Sequence, residues 1–160
     1  MSSGSALLAS LGVCAIAAAL EGACAGNNVK AYFAKLKSPR YSPPLWVWYI
    51  IGGLYYGTFF FVLYRMLSRG ANSSWANATL AVVLVMMLAN ALWNYLFFRA
   101  QKLFASVLLT FFAPVMDLVL LICLIRLDRV AAWALVPYLI YRGYSVWWAY
   151  RFWKLNPDAA

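Results

Sequence analysis

Two charged residues stand far from either end of long apolar runs, Asp117 and Arg142. A charge in hydrocarbon costs free energy and is normally paired or functional. Asp117 lies nine residues before Arg126, and Arg142 lies eleven after Ala131, on the two sides of one short turn. At 1.5 Å rise per residue their depths differ by about 3 Å. The spacing predicts an ion pair between neighbouring antiparallel helices. Such a pair either only balances charge, or leaves the guanidinium fork of Arg142 to meet the carboxylate of an anionic ligand.

A second pattern is aromatic and amide. Asn90, Trp93 and Phe97 recur at i, i+3 and i+7 and share one helix face. Ile51 and Tyr55 share a face at i, i+4, and Tyr138, Tyr141 and Ser145 do so at i, i+3, i+7. Aromatic stripes at this spacing usually serve packing. Apolar pockets between helices also take flat small molecules, with a few polar groups fixing orientation. Asn90 is informative because a buried amide needs partners. The chain has no histidine, so the commonest metal ligand and general base is missing. No Ser/His/Asp set, paired carboxylates, phosphate-cradling loop or metal spacing is visible. Cys14, Cys24 and Cys123 give neither a disulfide framework nor a metal motif. Gly52-Gly53 reads as a close helix contact.

These residues must be positioned by helices in lipid. The chain is 66% apolar and 11% charged, where a soluble domain is about half apolar and a quarter charged. Apolar runs cover about 6–25, 45–66, 75–98, 103–125 and 130–153. Each is long enough to cross a hydrocarbon core of about 30 Å as a helix. The expected fold is all-α, an integral membrane protein with one bundle of five transmembrane helices over residues 1–160. The first run lacks a basic flank, so a retained span is expected rather than a signal peptide, although Ala23-Cys24-Ala25 resembles a cleavage site. Its Gly12, Gly22 and Gly26 predict a surface for close helix approach. Glu21, near its end, is placed within reach of the interface.

The stretch from Ala31 to Trp46 is the longest polar interruption. Pro39, Pro43 and Pro44 make it a semi-rigid segment. It reads as a connector with aromatic anchors or as a lid, with the loop bounded at 27–44. Eight basic residues fall on the side of this loop and the C-terminal end, against four opposite. The positive-inside rule then puts the N-terminus outside and the C-terminus in the cytoplasm. The net charge of +9 is assigned to topology and anionic lipid, not to nucleic acid.

The run Leu36-Lys37-Ser38-Pro39-Arg40-Tyr41-Ser42-Pro43-Pro44-Leu45-Trp46-Val47, preceded by Ala31-Tyr32, resembles a signature of the TspO/MBR family. This is the tryptophan-rich sensory protein and translocator protein family, which includes the peripheral-type benzodiazepine receptor. Leu54-Tyr55, Asn90 with Trp93, Phe97-Phe98 and Pro137-Tyr138-Leu139 continue the likeness in order. The resemblance implies a five-helix homodimer whose cavity takes porphyrin, haem-related tetrapyrroles, sterols and benzodiazepine-site ligands beneath the first loop. It implies cavity positions Tyr32, Pro43, Trp46, Tyr55, Asn90, Trp93 and Ser145, beside which Ile51, Phe97, Tyr141 and Arg142 are candidate ligand contacts. Ala31 and Tyr41 replace family tryptophans of the loop, Ala149 a family asparagine, and Arg142 an apolar residue. Ile51 and Tyr141 stand where bacterial members carry the tryptophans implicated in light- and oxygen-dependent porphyrin breakdown. Binding as a sensor, regulator or carrier is therefore expected ahead of an enzyme, with porphyrin degradation and transport as alternatives and no required cofactor. Val146, Tyr150 and Lys154 match a C-terminal cholesterol motif, which interface anchoring explains equally well. The resemblance fits a bacterial envelope membrane ahead of the mitochondrial outer membrane.

Overall fold

The computed structural model describes residues 2–69 and 73–157. Six α-helices follow one another: α1 Ser3–Ala25, α2 Val29–Lys35, α3 Leu45–Arg69, α4 Ser74–Asn94, α5 Leu103–Leu127 and α6 Arg129–Leu155. No strand occurs among the described residues. Local chemistry sets the ends. The Ser2 side chain accepts from the Ser5 N–H at the start of α1, and α1 stops at Gly26, whose φ of 73° suits glycine. The Pro43-Pro44 pair directly precedes α3. Ser73 caps α4 through the Ala76 N–H. Asp128 caps α6 through the N–H groups of Val130 and Ala131.

The helical periods are where the apolar runs place them, with two differences. The 27–44 loop is not structureless, because α2 occupies 29–35. The third apolar run does not end as plain α-helix. Its last turn, Tyr95–Arg99, is π-helical, and Gln101 follows with φ 54°. Among the described residues four helices are long and apolar enough to span a membrane: α1, α3, α4 with its π turn, and α5. Length and composition do not carry the expectation of a fifth. α6 has 27 residues, but Arg129, Arg142, Arg151 and Lys154 and its many aromatics lower its mean hydropathy.

The long helices close into a ring. α1 packs on α3 and α4, α5 on α4 and α6, and α6 on α3. One end of the ring is solid, filled by Phe59, Val62, Leu63, Val83, Leu120, Leu124 and Leu135. The other end is an aromatic cluster of Tyr32, Phe97, Trp148 and Phe152 with Leu103 and Val107. Large apolar side chains face outward on every long helix, among them Leu8, Leu54, Leu88, Leu118 and Ile140. That surface suits hydrocarbon, not water.

The solid end is fastened by Asp128, whose side chain is 1% exposed. Arg65 donates to it through Nε at 2.5 Å and Nη2 at 3.0 Å, and Arg69 lies at 3.4 Å. The carboxylate thus joins the end of α3 to the turn between α5 and α6. Burial alone would raise its pKa; the bonds from Arg65 and the Ala131 N–H, with the charges of Arg65 and Arg69, outweigh that and hold it below the usual carboxylate range. A depressed folded pKa stabilises above the unfolded value of about 3.9, and that contribution fades as pH falls through the folded pKa. Asp128→Ala should lower stability by about 3 kcal/mol, from a lost cap and a stranded arginine. Thermal unfolding in detergent checks this. The parent should lose more stability than Asp128→Asn between pH 5 and pH 3, and equal losses would remove the carboxylate from the explanation.

Candidate functional site

Between the solid end and the aromatic end lies a cavity of about 510 Å³. Its aromatic walls are braced by ring contacts. Trp93 stacks on Phe97 with centroids 4.8 Å apart and planes at 14°. Trp48 of α3 meets Trp148 of α6 at 4.7 Å. Tyr55 lies against Phe59 at 4.5 Å and Tyr138 at 5.8 Å. Trp93 is also held by its Nε1, which donates to Thr110 Oγ1 at 3.0 Å, and Thr110 donates onward to the Ser106 carbonyl. The π turn after Asn94 adds a residue to the helical repeat. Phe97 and Phe98, both within it, line the cavity.

Two polar groups interrupt the apolar lining. On one wall, Glu21 of α1 collects three donors. Tyr56 Oη donates to Glu21 Oε2 at 2.6 Å, Asn90 Nδ2 to the same oxygen at 2.7 Å, and Asn94 Nδ2 to Oε1 at 3.0 Å. On another, Arg142 Nε donates to Asp117 Oδ2 at 2.7 Å, and Arg142 Nη2 donates to the Tyr138 hydroxyl. The ion pair expected from depth counting is therefore present. Asp117 has no partner for its Oδ1 among the described residues and its side chain is 2% exposed, so its charge depends on Arg142.

The proline-rich segment is tied down over this end. Lys37 N donates to Asn156 Oδ1 at 2.8 Å, and Asn156 Nδ2 returns a bond to the Lys37 carbonyl at 2.9 Å. Tyr144 Oη donates to the Tyr41 carbonyl at 2.9 Å, and Trp148 Nε1 to Ser42 Oγ at 2.8 Å. All four bonds run to α6 or its C-cap, so one helix both walls the cavity and anchors its cover.

Of the candidate contacts, Ile51, Tyr55, Asn90, Trp93, Phe97, Tyr141, Arg142 and Ser145 line the cavity. Tyr32, Pro43 and Trp46 do not. Tyr32 is buried behind the wall, edge-on to Phe97 at 5.9 Å. Pro43 stays in the covering segment, and Trp46 is 63% exposed on the first turn of α3. Two residues of helix turn a side chain by about 200°, which is why Trp48 lines the cavity and Trp46 does not. Val146, Tyr150 and Lys154 also lie off the lining, with Lys154 Nζ over the Trp153 and Tyr150 rings. Gly52 and Gly53 make no close helix contact: an added Cβ would meet no atom within 4 Å, and both border the cavity. Gly12, Gly22 and Gly26 are equally open. Sequence reading missed Glu21, Tyr56 and Asn94 as one cluster. The signal was there in part, since Asn90 and Asn94 share a face at i, i+4 and Glu21 is the one acid of the first apolar run.

A ring of apolar helices around a walled and covered hollow defines a helical membrane protein with an internal cavity. The model of the TspO/MBR family matches residues 10–154, nearly the whole chain, and the chain belongs to that family. No curated protein matches it. It is accordingly a multi-pass integral membrane protein.

The ion pair makes a test. Asp117→Ala strands Arg142 in the bundle and should cost about 3 kcal/mol, while Asp117→Leu combined with Arg142→Met should recover most of it. Melting curves in detergent compare the two. A double variant as unstable as the single one would show that the arginine is not left uncompensated.

Proposed function

We propose that this protein binds flat, largely apolar small molecules of tetrapyrrole or sterol type in the cavity, as a sensor, regulator or carrier. One observation carries the reading: an aromatic-walled hollow of about 510 Å³ lies beneath a segment pinned to α6. The volume falls inside the range of about 300–1,000 Å³ common for small-molecule sites. Every 100 Å² of apolar ligand surface covered contributes about 2.5 kcal/mol before ordering costs. The acidic side chains of a tetrapyrrole would point toward the basic residues of the covering segment, Lys35, Lys37 and Arg40.

In this reading α6 is the fifth span. Its deep charge is neutralised by Asp117, which lowers the cost of crossing lipid. α1 is retained, because Glu21 supplies the acceptor for Tyr56, Asn90 and Asn94. The N-terminus faces outside and the C-terminus the cytoplasm, in a bacterial envelope membrane, with a homodimer as the assembly. Binding stands ahead of porphyrin degradation because Ile51 and Tyr141, at the two positions tied to that chemistry, both line the wall without an indole.

Protoporphyrin should quench tryptophan fluorescence of the detergent-solubilised protein saturably. Trp93→Ala should weaken its affinity about tenfold, by loss of a stacking face. Trp133→Ala, 75% exposed on the outer surface, should leave it unchanged. Equal affinity for all three proteins would mean the porphyrin partitions into micelles and not into the cavity.

A further inference from the structure

The charges on the cavity wall do not follow the charge of the chain. Of the described residues that line it, Glu21 is the one carboxylic acid and Arg142 the one basic side chain. Arg142 is already matched in charge by Asp117, whose other oxygen has no partner, so its positive charge is offset within the pair. Glu21 has no such match. The ion pairs among the described residues join Asp117 to Arg142 and Asp128 to Arg65 and Arg69, and none includes Glu21. Its three donors are a phenol and two amides, all neutral. Once Asp117, which lies off the lining, is counted against Arg142, Glu21 is the charge left unmatched at the cavity, although the chain is strongly basic.

Glu21 also has room for a further bond. Oε2 takes two donors, but Oε1 takes one, and a carboxylate oxygen accepts two. Trp93 belongs to the same α4 face as Asn90 and lines the same cavity. A cation in this space gains from the faces of aromatic rings as well as from the carboxylate.

We propose that the cavity prefers ligands carrying a protonated amine or another cationic N–H group, seated on Glu21 Oε1, over neutral or anionic ligands of the same shape. This rests on the cavity being a ligand site and names the charge it selects. It also reverses the expectation that Arg142 draws a carboxylate into the interior. Acidic groups belong at the basic cover, and amines belong inside.

Three probes of one skeleton test it: 1-pyrenemethylamine, 1-pyrenemethanol and 1-pyrenecarboxylate, titrated into protein in an uncharged detergent against empty micelles. The amine should bind the parent about tenfold more tightly than the alcohol, the effect of one charge-assisted bond, and the carboxylate most weakly. Glu21→Gln keeps the shape and one acceptor oxygen, and should bring the amine down to about the alcohol's affinity, weakening the amine far more than the alcohol. Equal binding of amine and alcohol by the parent would overturn the proposal and leave the cavity as a site. A preference that survives Glu21→Gln would overturn it too. Binding of none of the three beyond micelle partition would overturn both this proposal and the ligand-site reading. The amine-to-alcohol ratio in the parent needs no variant, so it decides the matter even if Glu21→Gln folds poorly.

Discussion

An acid inside a lipid-embedded bundle must find its donors within the protein, because hydrocarbon supplies none. Each described acid of this chain finds a donor on another helix and so joins separate helices. Glu21 ties α1 to α3 and α4. Asp117 ties α5 to α6. Asp128 ties the end of α3 to the α5–α6 turn. Together these three contacts link all five long helices. The apolar faces alone would not fix that arrangement, since lipid tails compete for them on equal terms.

The same contacts leave the ring hollow between its solid core and its aromatic cluster. Below, branched and aromatic side chains of α3, α4, α5 and α6 interlock into a solid core. Above, the side chains are held by one another and by hydrogen bonds, and so cannot fold inward to fill the space. Trp93 is fixed by Thr110 and stacked on Phe97; Trp148 is fixed by Ser42 and lies against Trp48. Gly22, Gly52, Gly53 and Ala113 border the void and have little or no side chain to put into it. Rigid walls of this kind reduce the ordering cost of binding, since the site is formed before the ligand arrives.

Much of this was legible in the sequence, and the misses have physical causes. Apolar runs give helices whenever they must cross lipid, so the long elements could be read directly. The Asp117–Arg142 pair followed from counting residues back from a short turn. The α4 face was readable because Asn90, Trp93 and Phe97 keep helical spacing. What periodicity does not carry is the rotation of a helix about its own axis. The resemblance implies Trp46 in the cavity, but the proline pair before α3 fixes where that helix starts and not which way it faces, and Trp48 is the indole on the lining. The π turn at Tyr95–Arg99 and the short α2 depend on packing against Trp148, Phe152 and one another, contacts distant in sequence. Glu21 was hidden for the same reason: its meaning lies in donors contributed by α3 and α4. The family resemblance supplied the order of motifs, yet this chain's own charge arrangement had to come from coordinates.

The central claim is that the ring is hollow beside α6 and solid toward its other end. Cysteine accessibility measures this most directly. With the three native cysteines replaced by alanine, Ser145→Cys on the cavity wall and Leu135→Cys in the solid core would each be treated with a small water-soluble methanethiosulfonate. The account predicts that position 145 reacts readily, and that saturating protoporphyrin slows it, while position 135 stays inert. A cysteine at 145 as unreactive as one at 135 would contradict it.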